Sequence, residues 1–218
     1  MIKSAIVENR IYDLYKNLRQ KYGPAKKYWP YWCARNKTNR LREIVAIGAI
    51  LTQRTSWRNA DLALRNLKKE GLLSFQKISQ LKNLDKLTKL IRVAGFYQSK
   101  PQRLFALCFF INNKYGNLEK FKKVNLSLAR SELLSLKGIG PETADTILLY
   151  ALDKPSFIID EYTKRFVRKY QLSQNQDYSN LKQFFEKKLP KNTSLYQNFH
   201  TLIIVEQKGI EGSLMKNI

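Results

Sequence analysis

Cysteine is nearly absent from this 218-residue chain: Cys33 and Cys108 stand far apart with no short spacing between thiols. That excludes a disulfide framework and gives no ligand set for a zinc or iron–sulfur centre, so a reducing compartment and no metal are expected. No apolar run approaches the length of a membrane span, and Met1-Ile2-Lys3-Ser4 opens no long apolar leader, so the reading is a soluble protein with no membrane partner. Nowhere do apolar and polar residues alternate over a strand's length, which leaves an all-α fold. Gly/Ser linkers, low-complexity tracts and solenoid-length repeats are also missing, so any second domain shares the core without a flexible tether. Acidic residues are scarce as well, 17 against 40 basic ones for a net charge of +23. Pairs such as Lys26-Lys27, Lys68-Lys69 and Lys164-Arg165 spread the positive charge along the chain. A folded basic surface for a polyanion is therefore expected, although a bias of composition toward lysine would give part of the same excess.

What is present is helical spacing. Ile6, Ile11, Leu14 and Leu18 predict a first amphipathic helix over about 4–21, ended near Gly23-Pro24. From Thr38 or Asn39 a second helix begins, and Ile44 to Leu51 is apolar on every side, as in a helix buried at the centre of a bundle. Thr55-Ser56 can cap a helix from Trp57 to Lys69. Further helices are predicted at 75–82, at 86–94 capped by Asp85, at 100–115 capped by Ser99, and at 178–189 and 194–208. Tyr28-Trp29-Pro30-Tyr31-Trp32 fits neither period. Its rings either fold onto the core or form a stacking platform for a base.

Leu136-Lys137-Gly138-Ile139-Gly140-Pro141-Glu142-Thr143-Ala144 lies between two helical patterns. Gly138 suits the left-handed position that ends a helix, Gly140 a cap and Pro141 the first helical residue. Such a turn is either a plain helix-to-helix connection or a bare backbone that a phosphate can approach closely. After Ser156-Phe157-Ile158-Ile159 comes Asp160, placed as the cap of the next helix, which continues through Tyr170.

The order of these motifs resembles the helix-hairpin-helix DNA glycosylases of the endonuclease III superfamily. The resemblance covers most of the chain. It implies a hairpin made by Lys137, Gly138, Ile139 and Gly140 with Thr143 after it, and a catalytic aspartate at Asp160, twenty residues beyond Gly140. It also implies that Gln53, at the end of Ile50-Leu51-Thr52-Gln53, fills the gap in DNA beside a flipped nucleotide. Phe96, in Gly95-Phe96-Tyr97-Gln98-Ser99-Lys100, would then wedge the base stack. The family's bifunctional members place a lysine where this chain has Glu142, and a glutamate forms no Schiff base. Its iron–sulfur members carry four cysteines toward the C-terminus, whereas no cysteine follows Cys108 here. A branch without either feature, the 3-methyladenine DNA glycosylases of the endonuclease III type, is matched by Tyr28, Trp29, Pro30, Trp57 and Glu142 around the base. That branch has a pocket lysine after a Phe-His pair, but Phe199-His200 is followed here by Thr201-Leu202.

The resemblance implies a two-lobed architecture with the active site in the cleft between lobes. Residues 38–151 would form the lobe with the hairpin, and 1–37 plus 152–218 the other. Asp160, ionised beside the sugar, would stabilise an oxocarbenium-like transition state and orient or deprotonate a water. The expected activity is monofunctional release of alkylated purines such as 3-methyladenine from double-stranded damaged DNA. The protein would act as a monomer in the cytoplasm, associated with the nucleoid. It would use no cofactor, although the hairpin leaves room for a monovalent cation. The rival readings are a glycosylase for a deaminated, mismatched or oxidised base, and a DNA-structure-binding module without turnover. His200 is read as a surface or core histidine, since nothing near it in sequence supports a catalytic role.

Overall fold

A computed structural model describes residues 2–213, and among them every regular element is helical. The chain divides into two compact units. One is Arg35–Lys154, and the other joins the residues up to Ala34 with those from Pro155 onward. In chain order the helices are α1 (Ile2–Tyr22), α2 (Asn39–Leu51), α3 (Trp57–Lys69), α4 (Phe75–Ser79), α5 (Asp85–Ile91) and α6 (Lys100–Tyr115). They continue as α7 (Leu118–Lys122), α8 (Leu126–Ser135), α9 (Pro141–Thr146), α10 (Glu161–Lys169), α11 (Tyr178–Lys188) and α12 (Thr193–Ser213). No helix among the described residues is long and apolar enough to cross a membrane.

In the Arg35–Lys154 unit α2 is the central helix. The Thr38 hydroxyl accepts from the Leu41 amide at 3.2 Å to start it, and Val45, Ala46, Ile47, Ala49, Ile50 and Leu51 are all buried. Around it pack α3, α6, α7 and α9, together with a π-helical turn at Ile147–Ala151. Truncating one of its large aliphatic side chains to alanine in so enclosed a site costs roughly 2–5 kcal/mol. Arg42 is buried beside this core. Its Nη1 donates to the Ala151 carbonyl and to Asp153 Oδ2, each at 2.6 Å, and its Nε donates to Glu119 at 2.7 Å. Lys37 Nζ reaches the other oxygen of Asp153 at 2.8 Å, so both ends of the unit's chain are held by one ionic cluster.

Several sequence expectations need correction. Helix α4 stops at Ser79 rather than continuing to 82, and the expected 86–94 helix is α5 followed by a short 3-10 turn at Arg92–Ala94. Asp85 is the first residue of α5 and not its cap; its own amide is bound by Asn83 Oδ1 at 3.3 Å, which turns the chain earlier. Ser99 occupies the cap position of α6 with near-helical dihedrals and makes no side-chain cap bond. The five-residue α7, capped by Asn117, is too short to leave a periodic signal.

The other unit surrounds an aromatic cluster. Phe157 stacks on Phe185 with centroids 4.4 Å apart and meets Tyr196 and Phe199 edge-on. The extended segment that carries Phe157 is fastened to α11. Lys182 Nζ donates to Ser156 Oγ at 2.7 Å and to the Phe157 carbonyl at 3.0 Å, while Glu186 accepts from the Phe157 amide at 2.8 Å. A second clamp gathers α1, α10 and α12 on Glu206, which pairs with Lys169 at 2.7 Å, Lys21 at 3.1 Å and the Tyr22 hydroxyl at 2.5 Å. These attachments fix the direction in which the chain enters α10, and hence the residue at its head.

Candidate active site and nucleic-acid interface

Asp160 is that residue. As N-cap of α10 its Oδ1 accepts the Thr163 amide at 2.7 Å. Its side chain is only 13% exposed, and Oδ2 lies 3.4 Å from His200 Nε2 on α12. Burial by itself would raise the carboxyl's pKa. The His200 imidazole and the bonds from Thr163 outweigh it, and the group sits below the ordinary carboxylate value. It is therefore a fixed anion at neutral pH in a mostly dry setting, where a charge acts on a developing cation with little solvent screening.

His200 is a core histidine, one of the two expected places, but with a partner that the sequence did not show. Its ring is buried, within 3.4 Å of the carboxylate, and stands edge-on to Trp29 with centroids 6.1 Å apart. Trp29 in turn meets Trp32 edge-on at 5.6 Å. Sequence reasoning missed this contact because forty residues separate Asp160 from His200. The available signal was a histidine just before the apolar stretch Leu202–Val205 of α12.

The aromatic segment behaves unevenly. Tyr28 is fully buried and its hydroxyl donates to the Tyr22 carbonyl at 2.8 Å, so that ring belongs to the core. Trp29 is buried beside His200, whereas Pro30 is exposed. Trp57 lies in the other unit, half-buried in the first turn of α3.

The hairpin between α8 and α9 is built as its glycines require. Gly138 has φ +86°, a conformation that L side chains rarely adopt, and an added Cβ would stand 2.5 Å from Arg103 Nε. Ile139 tucks inward while Lys137, Gly138 and Gly140 remain exposed, and Gly140 caps α9 with Pro141 as its first residue. Gln53, just past the end of α2, is fastened to this turn. Its Nε2 donates to the Gly138 carbonyl at 3.1 Å and to Thr143 Oγ1 at 2.9 Å, and its Oε1 accepts from Arg103 Nη1 at 2.7 Å. Arg103, one turn into α6, carried no sequence signal.

Gln53, Arg103 and Thr143 line an open depression of about 400 Å³ together with Arg54, Phe96, Gly140 and Glu142. Phe96 is held with φ +49° and is 48% exposed. Its carbonyl accepts the Ser99 and Lys100 amides at 3.0 and 2.9 Å, which locks the loop in that conformation. Beneath it the buried Lys100 ammonium donates to the carbonyls of Leu51 at 2.7 Å and Ala94 at 2.8 Å. Burial, helped by the nearby Arg103 charge, lowers the Lys100 pKa to about 8. The depression thus joins an exposed aromatic, two arginines, an exposed hairpin backbone and one carboxylate, a set suited to a nucleic-acid strand. Among the described residues, no group of three or more His, Cys, Asp or Glu side chains is placed to hold a metal.

Residues 47–191 match the HhH-GPD superfamily base excision DNA repair protein family. A Methanocaldococcus jannaschii protein named as a DNA repair glycosylase is 45% identical over 197 residues, covering 89% of this chain and 85% of that protein. Among solved structures, the 3-methyladenine DNA glycosylase of H. pylori, bound to 1,N6-ethenoadenine, aligns with a TM-score of 0.73 at 29% identity. That alignment covers 89% of this chain and 96% of that one. An endonuclease III trapped as a covalent intermediate with DNA shares the fold, with a TM-score of 0.70 at 17% identity over 91% of this chain and 84% of that one.

Proposed function

The chain belongs to the HhH-GPD superfamily of base excision DNA repair proteins and is a DNA glycosylase, and we propose that it is monofunctional and releases alkylated purines such as 3-methyladenine from duplex DNA. The observation that carries this reading is Asp160, a buried carboxylate held ionised at the head of α10.

Cleavage of the N-glycosidic bond leaves positive charge on the sugar. A fixed anion stabilises that charge in the transition state and can take a proton from the attacking water. An alkylated purine already carries positive charge and departs readily, so the remaining work is extrusion, grip and aim. Extrusion costs a few kcal/mol, least for a damaged or weakly paired base. Gln53 and Phe96 are the side chains to occupy the vacated stack, with the hairpin from Lys137 to Gly140 and Thr143 on the phosphates. Trp29, Pro30 and Trp57 are the candidates to contact the base. An indole stacked on it contributes roughly 1–3 kcal/mol, and a cationic base adds a cation–π attraction. Tyr28 supports this group from the core. Glu142 stands where a lyase would need an amine, which favours hydrolysis without strand cleavage. Two cysteines cannot supply the four thiolates of a cluster, and the chemistry requires no redox group. The likeness to the H. pylori enzyme supports the choice of lesion, and action as a monomer completes the reading.

The test is base release from duplexes carrying 3-methyladenine, 7-methylguanine, 1,N6-ethenoadenine, uracil or 8-oxoguanine, with and without borohydride. The reading expects release from the alkylated substrates, intact abasic strands and no trapped covalent adduct. Release confined to uracil or 8-oxoguanine contradicts the lesion assignment, and a trapped adduct contradicts the monofunctional one.

A further inference from the structure

We propose that His200 is a positioning residue for Asp160: its imidazole holds the second carboxylate oxygen and thereby sets the angle at which the anion meets the sugar. This rests on the reading of Asp160 as the catalytic carboxylate.

A carboxylate bound at one oxygen still turns about its Cα–Cβ and Cβ–Cγ bonds. The cap bond from Thr163 fixes Oδ1 at 2.7 Å, and the contact with His200 Nε2 at 3.4 Å restrains Oδ2. The latter is longer than an ideal N–H···O bond, as catalytic contacts commonly are before substrate binds. Lone pairs on both oxygens remain for a water and for the developing cation.

The imidazole is itself well placed to act as a fixed point. It is 4% exposed, between the buried Phe199 and Thr201 on α12, and its ring edge is set by Trp29, which abuts Trp32. Helices α10 and α12 pack together, and Lys169 of α10 pairs with Glu206 of α12 at 2.7 Å. The same helix pair that buries His200 therefore carries Asp160 at its head. The imidazole thus meets both Trp29 and the carboxylate. Around Asp160 the groups that set its charge are Thr163 from α10 and His200 from α12.

The experiment uses the full chain and dimethyl sulfate-treated duplex DNA, measuring single-turnover release of 3-methyladenine between acid and neutral pH. Affinity for a duplex with a non-cleavable abasic analogue is measured in parallel. His200→Phe keeps a ring against Trp29 but offers no donor, whereas His200→Gln offers an N–H without titrating. His200→Phe is expected to lower the rate on the order of 10- to 100-fold, the usual cost of a misaimed group, with affinity for the analogue preserved. His200→Gln is expected to stay within roughly threefold of wild type, as a retained donor should allow. In both variants the acid limb of the rate profile moves to higher pH, because the imidazole helps depress the Asp160 carboxyl. A purely structural role would move neither the limb nor the difference between Phe and Gln. Should His200→Phe melt early, the limb shift in His200→Gln carries the test. An unmoved limb, or equal damage from Phe and Gln, overturns the proposal. Asp160→Asn at the wild-type rate would instead remove the underlying reading, while an inactive Asp160→Asn beside a fully active His200→Phe would overturn only the role of His200.

Discussion

Gln53 Nε2 donates to the Gly138 carbonyl at 3.1 Å, so the end of the central helix α2 is bonded directly to the exposed turn of the hairpin. Arg103 closes the arrangement from α6, bound to Gln53 Oε1 at 2.7 Å and packed where a Gly138 side chain would stand. The hairpin is therefore positioned by two side chains from elsewhere in its unit as well as by its own backbone.

Gly138→Ala tests that packing. Alanine must adopt a left-handed conformation and push the Arg103 guanidinium aside. The backbone strain alone is about 1–2 kcal/mol, a fall in Tm of roughly 2–8 °C in a chain of this size. Affinity for undamaged duplex should drop severalfold, read by fluorescence anisotropy at fixed salt. Unchanged affinity and melting would show that the turn tolerates a side chain there.

Gln53→Ala removes three hydrogen bonds at once and leaves the Arg103 guanidinium without its carboxamide partner. Loss of the two neutral bonds costs about 0.5–1.5 kcal/mol each, and loss of the one from the guanidinium about 1.5–3 kcal/mol, where water does not replace them. Duplex binding is expected to weaken, and weakening should be greater on a duplex with an abasic analogue than on an intact one if Gln53 also fills the gap. Equal weakening on both would confine Gln53 to bracing the hairpin.

The stretch from Leu136 to Pro141 was legible because glycine and proline are needed there for backbone reasons, and Asp160 because capping is a local act read from its neighbours. Helix α2 declared itself by eight apolar residues in a row that leave no polar face. His200 and Arg103 were not legible: each acts on a residue far away in sequence, and a helical periodicity says which face is buried but not what a polar side chain meets. Tyr28 illustrates the same limit, since an aromatic ring beside a proline fits both a stacking platform and a core residue, and its bond to the Tyr22 carbonyl leaves no trace in the sequence. The short α7 and the π-helical turn fall below the length at which a period can be counted.

Glu206 predicts a pH dependence of stability. Although burial opposes ionisation, the bonds from Lys169, Tyr22 and Lys21 hold its carboxyl at about 2, well below the unfolded value of 4.5. A depressed carboxyl stabilises the fold above its unfolded pKa and loses that contribution as pH falls toward the folded one, so the loss should run from about 4.5 down to about 2. Because its lysine partners are largely exposed and screened, the effect is on the order of 1 kcal/mol. Urea melts of wild type and Glu206→Gln should diverge at neutral pH and converge in acid. Parallel curves across that window would remove the clamp from the account.

Lys100 predicts a slope of the same sign in an alkaline window. Its pKa of about 8 lies below the unfolded 10.5, so between those values the unfolded chain binds the extra proton and stability rises with pH. Lys100→Met removes this rise and loses the bonds to Leu51 and Ala94 under the Phe96 loop. Thermal melts of both proteins from pH 7 to 10 read the difference directly, and identical slopes would contradict it.

The central claim is that Asp160 carries the chemistry. Single-turnover release of 3-methyladenine by Asp160→Asn, which keeps the size and the cap acceptor but not the charge, tests it most directly. The rate is expected to fall by at least about a hundredfold, the scale of losing one preorganised electrostatic group, with duplex affinity unchanged or increased. Release at the wild-type rate by Asp160→Asn would contradict it.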